Sequence, residues 1–236
     1  MERIPESGAI DSRDEVVSYD IVSKRFLRTV EELFVRRCLK LLAKVRKAKN
    51  PLILDVGTGT ANVPIRMIHK LPSAVIVAMD LSLNMLERAR QNIADEEHQD
   101  RILLVIGDAK NLPFKDDSFD LVYSHSMFHH LVDPLITVQG IIRVTKRGCC
   151  FIIRDLRRPP GFLLEWYVRI FGFRYDEIMK DMYRESLRAG FTRQEMAGIV
   201  GRIKGAVTRA RSFFITHVGL EGVKSDSGQT VARENG

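Results

Sequence analysis

A chain of 236 residues, 45% hydrophobic and 28% charged, can bury a sizeable core without disulfides, and no shift of composition divides it into separate domains. Its three cysteines, Cys38, Cys149 and Cys150, are an odd count with an adjacent pair, which excludes a disulfide framework and the paired spacing of a zinc site. The net charge of +7 is concentrated in residues 143–211, where 16 basic residues face 7 acidic ones; that segment is either a set of solvated helix faces or an attractant for anionic substrate, nucleic acid or membrane.

The opening MERIPESGAIDSRDEV is charged and lacks an apolar signal region, and no stretch reaches the roughly 18 apolar residues of a membrane span. A soluble, unexported, cytoplasmic chain without a metal is expected. From Tyr19 to Ala48 apolar residues recur at helical spacing among many charges, so residues 1–49 read as N-terminal helices. Asn50-Pro51 ends them.

Short apolar runs then alternate with helical patterns. PLILDVG, AVIVAMD, RILLVIGD, SFDLVYSHS and CCFIIRDL read as strands; ANVPIRMIHKL, SLNMLERARQNIADEE and DPLITVQGIIRVT read as helices. Strands that are apolar on both faces and separated by helices imply a mostly parallel sheet covered on both sides. The expected fold is therefore α/β and doubly wound, of Rossmann-like type with seven strands. Its ligands bind beyond the carboxyl ends of the strands, where the strand order reverses.

After the fifth strand, residues 157–200 are too long for a simple crossover and predict a helical insertion, a lid or substrate segment, with Thr192 and Glu195 as a capping box. GAVTRARSFFITHVGL supplies two final strands, and the polar residues 221–236 are expected to be disordered. One domain, 1–220, with its cofactor-binding core at 50–156, is the predicted organisation.

The first strand ends in LDVGTGTAN. As a dinucleotide fingerprint it fits poorly, because Asn62 takes the third glycine position and Asp55 stands where a pyrophosphate would meet a negative charge. A cationic ligand reverses that argument. LDVGTGTAN resembles motif I of the class I S-adenosylmethionine-dependent methyltransferases, with Ala61 in place of the third glycine, a departure expected to concern how closely helix packs on strand.

AVIVAMD, GDAKNLPF, DDSFDLVYSHSMFHHL and IIRVTKRG extend the likeness in register over residues 50–156. It is similar above all to the small-molecule branch that includes the quinone-biosynthesis methyltransferases. Gly140, and Arg147-Gly148-Cys149, depart from the family's usual pattern. The resemblance implies S-adenosylmethionine held by Tyr19, Asp55, Gly57, Thr58, Gly59, Asp80, Leu81, Met85, Asp108, Ala109, Ser124 and His125. Within that set Asp80 would bind the ribose diol, and Asp108 with Ala109 the adenine.

Alignment in a dry pocket suffices for much of methyl transfer, and a base helps where the acceptor carries a hydroxyl, thiol or acidic carbon. His129 and His130 are the candidates, set against a purely structural role. Arg154, Arg157 and Arg158, with Trp166, are expected at an anionic or aromatic small-molecule acceptor. FLLEWYVRIFGF is open between core packing, a lid, a homodimer face and a peripheral membrane contact.

Methylation of exocyclic base amines is set aside, since Ser124-His125-Ser126-Met127 stands where those enzymes carry N-P-P-Y; an RNA target for the basic segment stays open, although no RNA-binding module is recognisable and nucleic acid is not the expected partner. The alternative to an enzyme is a non-catalytic S-adenosylmethionine-binding regulatory or assembly protein.

Overall fold

Five runs rich in Val, Ile and Leu form the strands β1 (Leu52–Val56), β2 (Val75–Asp80), β3 (Ile102–Ile106), β4 (Phe119–His125) and β5 (Thr145–Leu156). In the computed structural model, which describes residues 2–6, 10–45 and 49–226, these pair side by side and parallel. β6 (Ala206–Phe213) and β7 (His217–Lys224) complete one sheet of order β3-β2-β1-β4-β5-β7-β6. β7 runs antiparallel to both β5 and β6. The order reverses between β1 and β4, which opens a crevice above their carboxyl ends.

Helices cover both faces. α2 (Arg28–Val45), α3 (Asn62–Lys70) and α4 (Leu83–Asp95) pack with Ile53, Ile76 and Tyr123 on one side. α5 (Pro134–Val144) and α8 (Arg193–Arg202) pack with Leu54, Val122 and Phe151 on the other. A third apolar cluster lies apart from the sheet, built from α1 (Arg13–Arg25), α6 (Leu164–Phe171) and α7 (Glu177–Ala189).

Side chains of Ser12, Ser82, Asp133, Asp176 and Thr192 each accept a backbone N–H of the first turn and so start α1, α4, α5, α7 and α8. The Thr192–Glu195 box closes in both directions, at 3.2 and 2.8 Å. The last strand runs on to Lys224, so residues 221–224, expected in a disordered tail, are paired in the sheet. Their low apolar content misled because Gly222 and Glu221 serve close strand contact and ion pairing instead of packing; residues 227–236 lie outside the described ones.

Candidate active site

β1 delivers its end into a tight turn. Gly57 and Gly59 have φ of 80° and 56°, a region side chains with a Cβ avoid. A Cβ on Gly57 would also stand 2.5 Å from Met127 Cγ. Ala61, in the third glycine position, is fully buried in the cluster beneath α3 and has φ of 63°; the departure there bears on backbone conformation as well as on packing.

The turn forms one wall of a cleft of about 450 Å³. Tyr19, Gly57, Gly59, Asp80, Leu81, Met85, Asp108 and Ala109 line it together. Asp80 accepts from the Gly59 and Ser82 amides at 2.7 and 3.0 Å. Burial raises its pKa while those amides pull it back. Asp55, Thr58 and His125 stand behind the turn, around a water-sized void of about 10 Å³ shared with Tyr19 and Gly57.

Asp55 is 2% exposed. Burial, with the Asp80 charge adding to it, pushes its pKa up to about 8. An acid in that state gains from a cation beside it. Ser124, expected at the cofactor, faces the sheet interior instead: it is fully buried and its hydroxyl donates to the Val56 carbonyl at 2.8 Å.

A second, apolar chamber of about 190 Å³ adjoins the cleft, lined by Phe26, Leu27, Tyr175, Met179, Met182 and Tyr183 among others. Both cavities share Ile10, Tyr19, Ser126 and His130, so they meet beside the imidazoles. His129 Nδ1 lies 2.7 Å from Asp155 Oδ1, and the His129 amide donates to Asp155 Oδ2 at 2.8 Å.

Across the same ring, Nε2 lies 3.4 Å from Glu6 Oε2. Burial lowers the His129 pKa, but the Asp155 charge and hydrogen bond, with Glu6, outweigh it and the net shift is upward. Glu6 itself is raised by burial, against the pull of His129 and a 3.0 Å hydrogen bond from the Ser186 hydroxyl.

The N-terminal segment that carries Glu6 has no periodic pattern, and sequence reasoning passed over it. Arg3 clamps it, donating to the carbonyls of Ala189, His129 and Leu131 at 2.8, 3.1 and 2.6 Å and lying over the Phe191 ring at 4.2 Å. No metal was expected, yet Glu6, His129 and His130 bring three potential ligand atoms within 4.8 Å of one another. The His129 ring lies between the Asp155 and Glu6 carboxyl groups, and it is tilted 35° to the His130 ring with centroids 4.3 Å apart.

The arginines expected at the acceptor are elsewhere. Arg154 is 3% exposed and faces α2, donating to the Val30 carbonyl at 2.9 Å, contacting His125 and lying 4.7 Å from the Phe34 ring centroid. Burial lowers its pKa to about 9 and, with Arg154 adjacent, holds His125 well below its usual value and neutral. Arg158 is tied to the Gly190 carbonyl at 2.7 Å and to Glu195. Arg157 borders a different surface hollow, with Pro159, Pro160 and Arg193. Trp166 is 51% exposed on the outer side of α6, away from the chamber lining.

Residues 54–153 match the family described as "Methyltransferase domain". The chain is 31% identical over 152 residues to the ubiquinone/menaquinone biosynthesis C-methyltransferase UbiE of Geotalea daltonii, a match covering 62% of this chain and 65% of that one. It is 30% identical to the demethylmenaquinone methyltransferase of Lactiplantibacillus plantarum, over 58% of this chain and 63% of that one. It thus spans less than two thirds of the length of these curated relatives.

Among solved structures it superposes on the plantazolicin methyltransferase BpumL in complex with SAH, with a TM-score of 0.72 and 15% identity over 90% of this chain and 91% of that one. A SAM-dependent methyltransferase from Aquifex aeolicus gives 0.64 and 15%, over 90% of this chain and 98% of that one.

Proposed function

Since residues 54–153 form a class I S-adenosylmethionine-dependent methyltransferase domain, we propose that the chain methylates a small apolar acceptor seated in the chamber beside His129. The observation that carries this reading is the junction of the two cavities at Tyr19, Ser126 and His130. A methyl donor in one and an acceptor in the other would meet there without water.

The donor-side residues suit S-adenosylmethionine. The bare Gly57–Gly59 turn admits a ligand against its backbone, Asp80 offers a carboxylate to a diol, and protonated Asp55 would become charged beside a cation. When bound, that cofactor supplies a methyl group on sulfonium, an electrophile needing little further activation. His129 in its neutral form would take the acceptor's proton at Nε2 while Asp155 holds Nδ1–H. Tyr19 and Met127 would cover the cofactor.

The lining of Phe26, Leu27, Tyr175, Met179 and Met182 favours an acceptor as apolar as a quinone precursor, the class named by the two relatives, and offers no arginine fork for an anionic one. Calorimetry with S-adenosylmethionine and S-adenosylhomocysteine tests the reading, with NADH as control. Binding of both adenosyl ligands, lost in Asp80→Ala, is expected; preference for NADH would sink it.

A further inference from the structure

Three ligand atoms converge where the cleft and the chamber meet. Glu6 Oε2 lies 3.4 Å from His129 Nε2 and 3.9 Å from His130 Nδ1, and the three atoms all fall within 4.8 Å of one another. His129 and His130 are consecutive residues of the short 3₁₀ turn Phe128–His130. Glu6 reaches them on the segment that Arg3 clamps to the same turn.

Separation distinguishes a hydrogen bond from a set of metal ligands. A charge-assisted bond between imidazolium and carboxylate spans about 2.7–2.9 Å, and both contacts of Glu6 are longer. Ligand atoms held tetrahedrally at about 2.0–2.1 Å from a zinc ion stand roughly 3.3 Å from one another. The Glu6–His129 separation matches that figure, and rotation of the partly exposed His130 side chain would bring in the third donor.

The groups behind these ligands fit the same reading. His129 Nδ1 lies 2.7 Å from Asp155 Oδ1, and the His129 amide fixes the other carboxylate oxygen at 2.8 Å. With Nδ1–H engaged there, Nε2 presents its lone pair toward Glu6. A histidine that ligates a metal almost always gives its other N–H to a carboxylate, carbonyl or water in this way. The Ser186 hydroxyl donates to Glu6 Oε2 at 3.0 Å and so orients the second ligand.

Donor chemistry selects the ion. Two imidazoles and a carboxylate suit zinc and other first-row divalent metals, whereas magnesium prefers oxygen ligands alone. Three protein ligands leave a fourth position open, and His130 borders both cavities, which gives an ion its path in.

We propose that Glu6, His129 and His130 form a binding site for a zinc-class divalent cation, with Asp155 holding His129 from behind. The site does not depend on the methyl-transfer reading above. Where that reading holds, metal and proton compete for His129 Nε2, and a loaded protein has no base at that atom.

The full chain, freed of metal with a chelator, is titrated calorimetrically with zinc and, separately, with magnesium. Saturable zinc binding, a raised thermal midpoint on loading and no magnesium binding are expected. Glu6→Gln and His130→Ala, each checked for folding by circular dichroism, should weaken zinc binding by more than about a hundredfold, since loss of a supporting group behind a ligand alone costs about 10–100-fold. A second histidine pair could compete for the ion: the His69 and His98 rings lie 4.9 Å apart, with Glu96 3.3 Å from His69. His69→Ala with His98→Ala should leave zinc affinity unchanged.

Cobalt(II) bound to the wild-type chain identifies the donors without any substitution, and absorption of a nitrogen–oxygen site, free of thiolate charge transfer, is expected. No saturable zinc binding would overturn the proposal. So would undiminished binding in a folded Glu6→Gln chain, loss of binding in the His69–His98 variant, thiolate absorption, or equal affinity for magnesium.

Discussion

Asp55, next to last in β1, carries a carboxyl that burial and the Asp80 charge bring up to a pKa of about 8. Its unfolded value is about 3.9. The folded state therefore holds a proton across that window, and the stability this contributes is complete at low pH and lost as pH rises through the window. A sulfonium or ammonium group placed against the turn would favour the carboxylate and expel the proton. At pH 7, S-adenosylmethionine binding should release about one proton, visible as a binding heat that varies with the ionisation enthalpy of the buffer. Asp55→Asn should bind with no such variation, and wild-type binding without proton release would remove Asp55 from the cofactor's charge. Ala61 carries a related lesson. The sequence suggested a packing departure there, and φ of 63° adds backbone strain of about 1 kcal/mol, which no side-chain pattern reveals.

At the level of elements, β5 and the N-terminal segment divide what could be read from what could not. That CCFIIRDL is a strand is evident from its apolar run. Successive side chains of a strand point to opposite faces, and this alternation separates Arg154, which turns to Phe34 and Val30 of α2, from Asp155, which turns to His129. Treating all the charges after β5 as one cluster missed that division. Residues 2–6 gave no signal because they form no periodic element; their order comes from Arg3 bonding to distant carbonyls and from Glu6 reaching His129. The segment thereby sets a carboxyl group 3.4 Å from the His129 ring, which lines the apolar chamber. Glu6 raises the His129 pKa, so Glu6→Gln should move the imidazole titration, followed by NMR, to lower pH and extend the range in which His129 is neutral. In the folded protein the raised value means stability is greatest below the unfolded pKa and falls as pH rises through the folded one; the variant should show a smaller fall. An unchanged midpoint would deny Glu6 any part in tuning the ring.

Across the whole molecule, the regular succession of strands and helices made the sheet, its crevice and the two covered faces legible, since short apolar runs between longer segments of helical period distinguish those elements. The closing of the sheet at its C-terminal end was less so. There, Glu221 on β7 is 1% exposed, in a stretch whose polarity suggested disorder. Its carboxylate accepts from Arg37 of α2 at 2.8 and 2.5 Å and from Arg209 and Arg211 of β6 at 2.6 and 2.7 Å. One side chain thus ties the edge hairpin to a helix far away in sequence. Burial raises its pKa, but the three guanidinium groups outweigh burial and hold it below the usual carboxylate range. A depressed value contributes stability above the unfolded pKa of about 4.3 and loses it as pH falls through the folded value. Glu221→Gln would leave three guanidiniums converging on a neutral amide. A fully buried pair broken in this way costs about 3–5 kcal/mol; Arg209 is 60% exposed, so solvent screens part of the repulsion and about 2 kcal/mol is expected at pH 7. The loss should be largest at neutral pH and shrink toward pH 3, where the wild-type carboxylate is itself neutralised. Urea unfolding at both pH values would measure it, and equal stabilities at pH 7 would mean that the hairpin is held by its strand ladder alone.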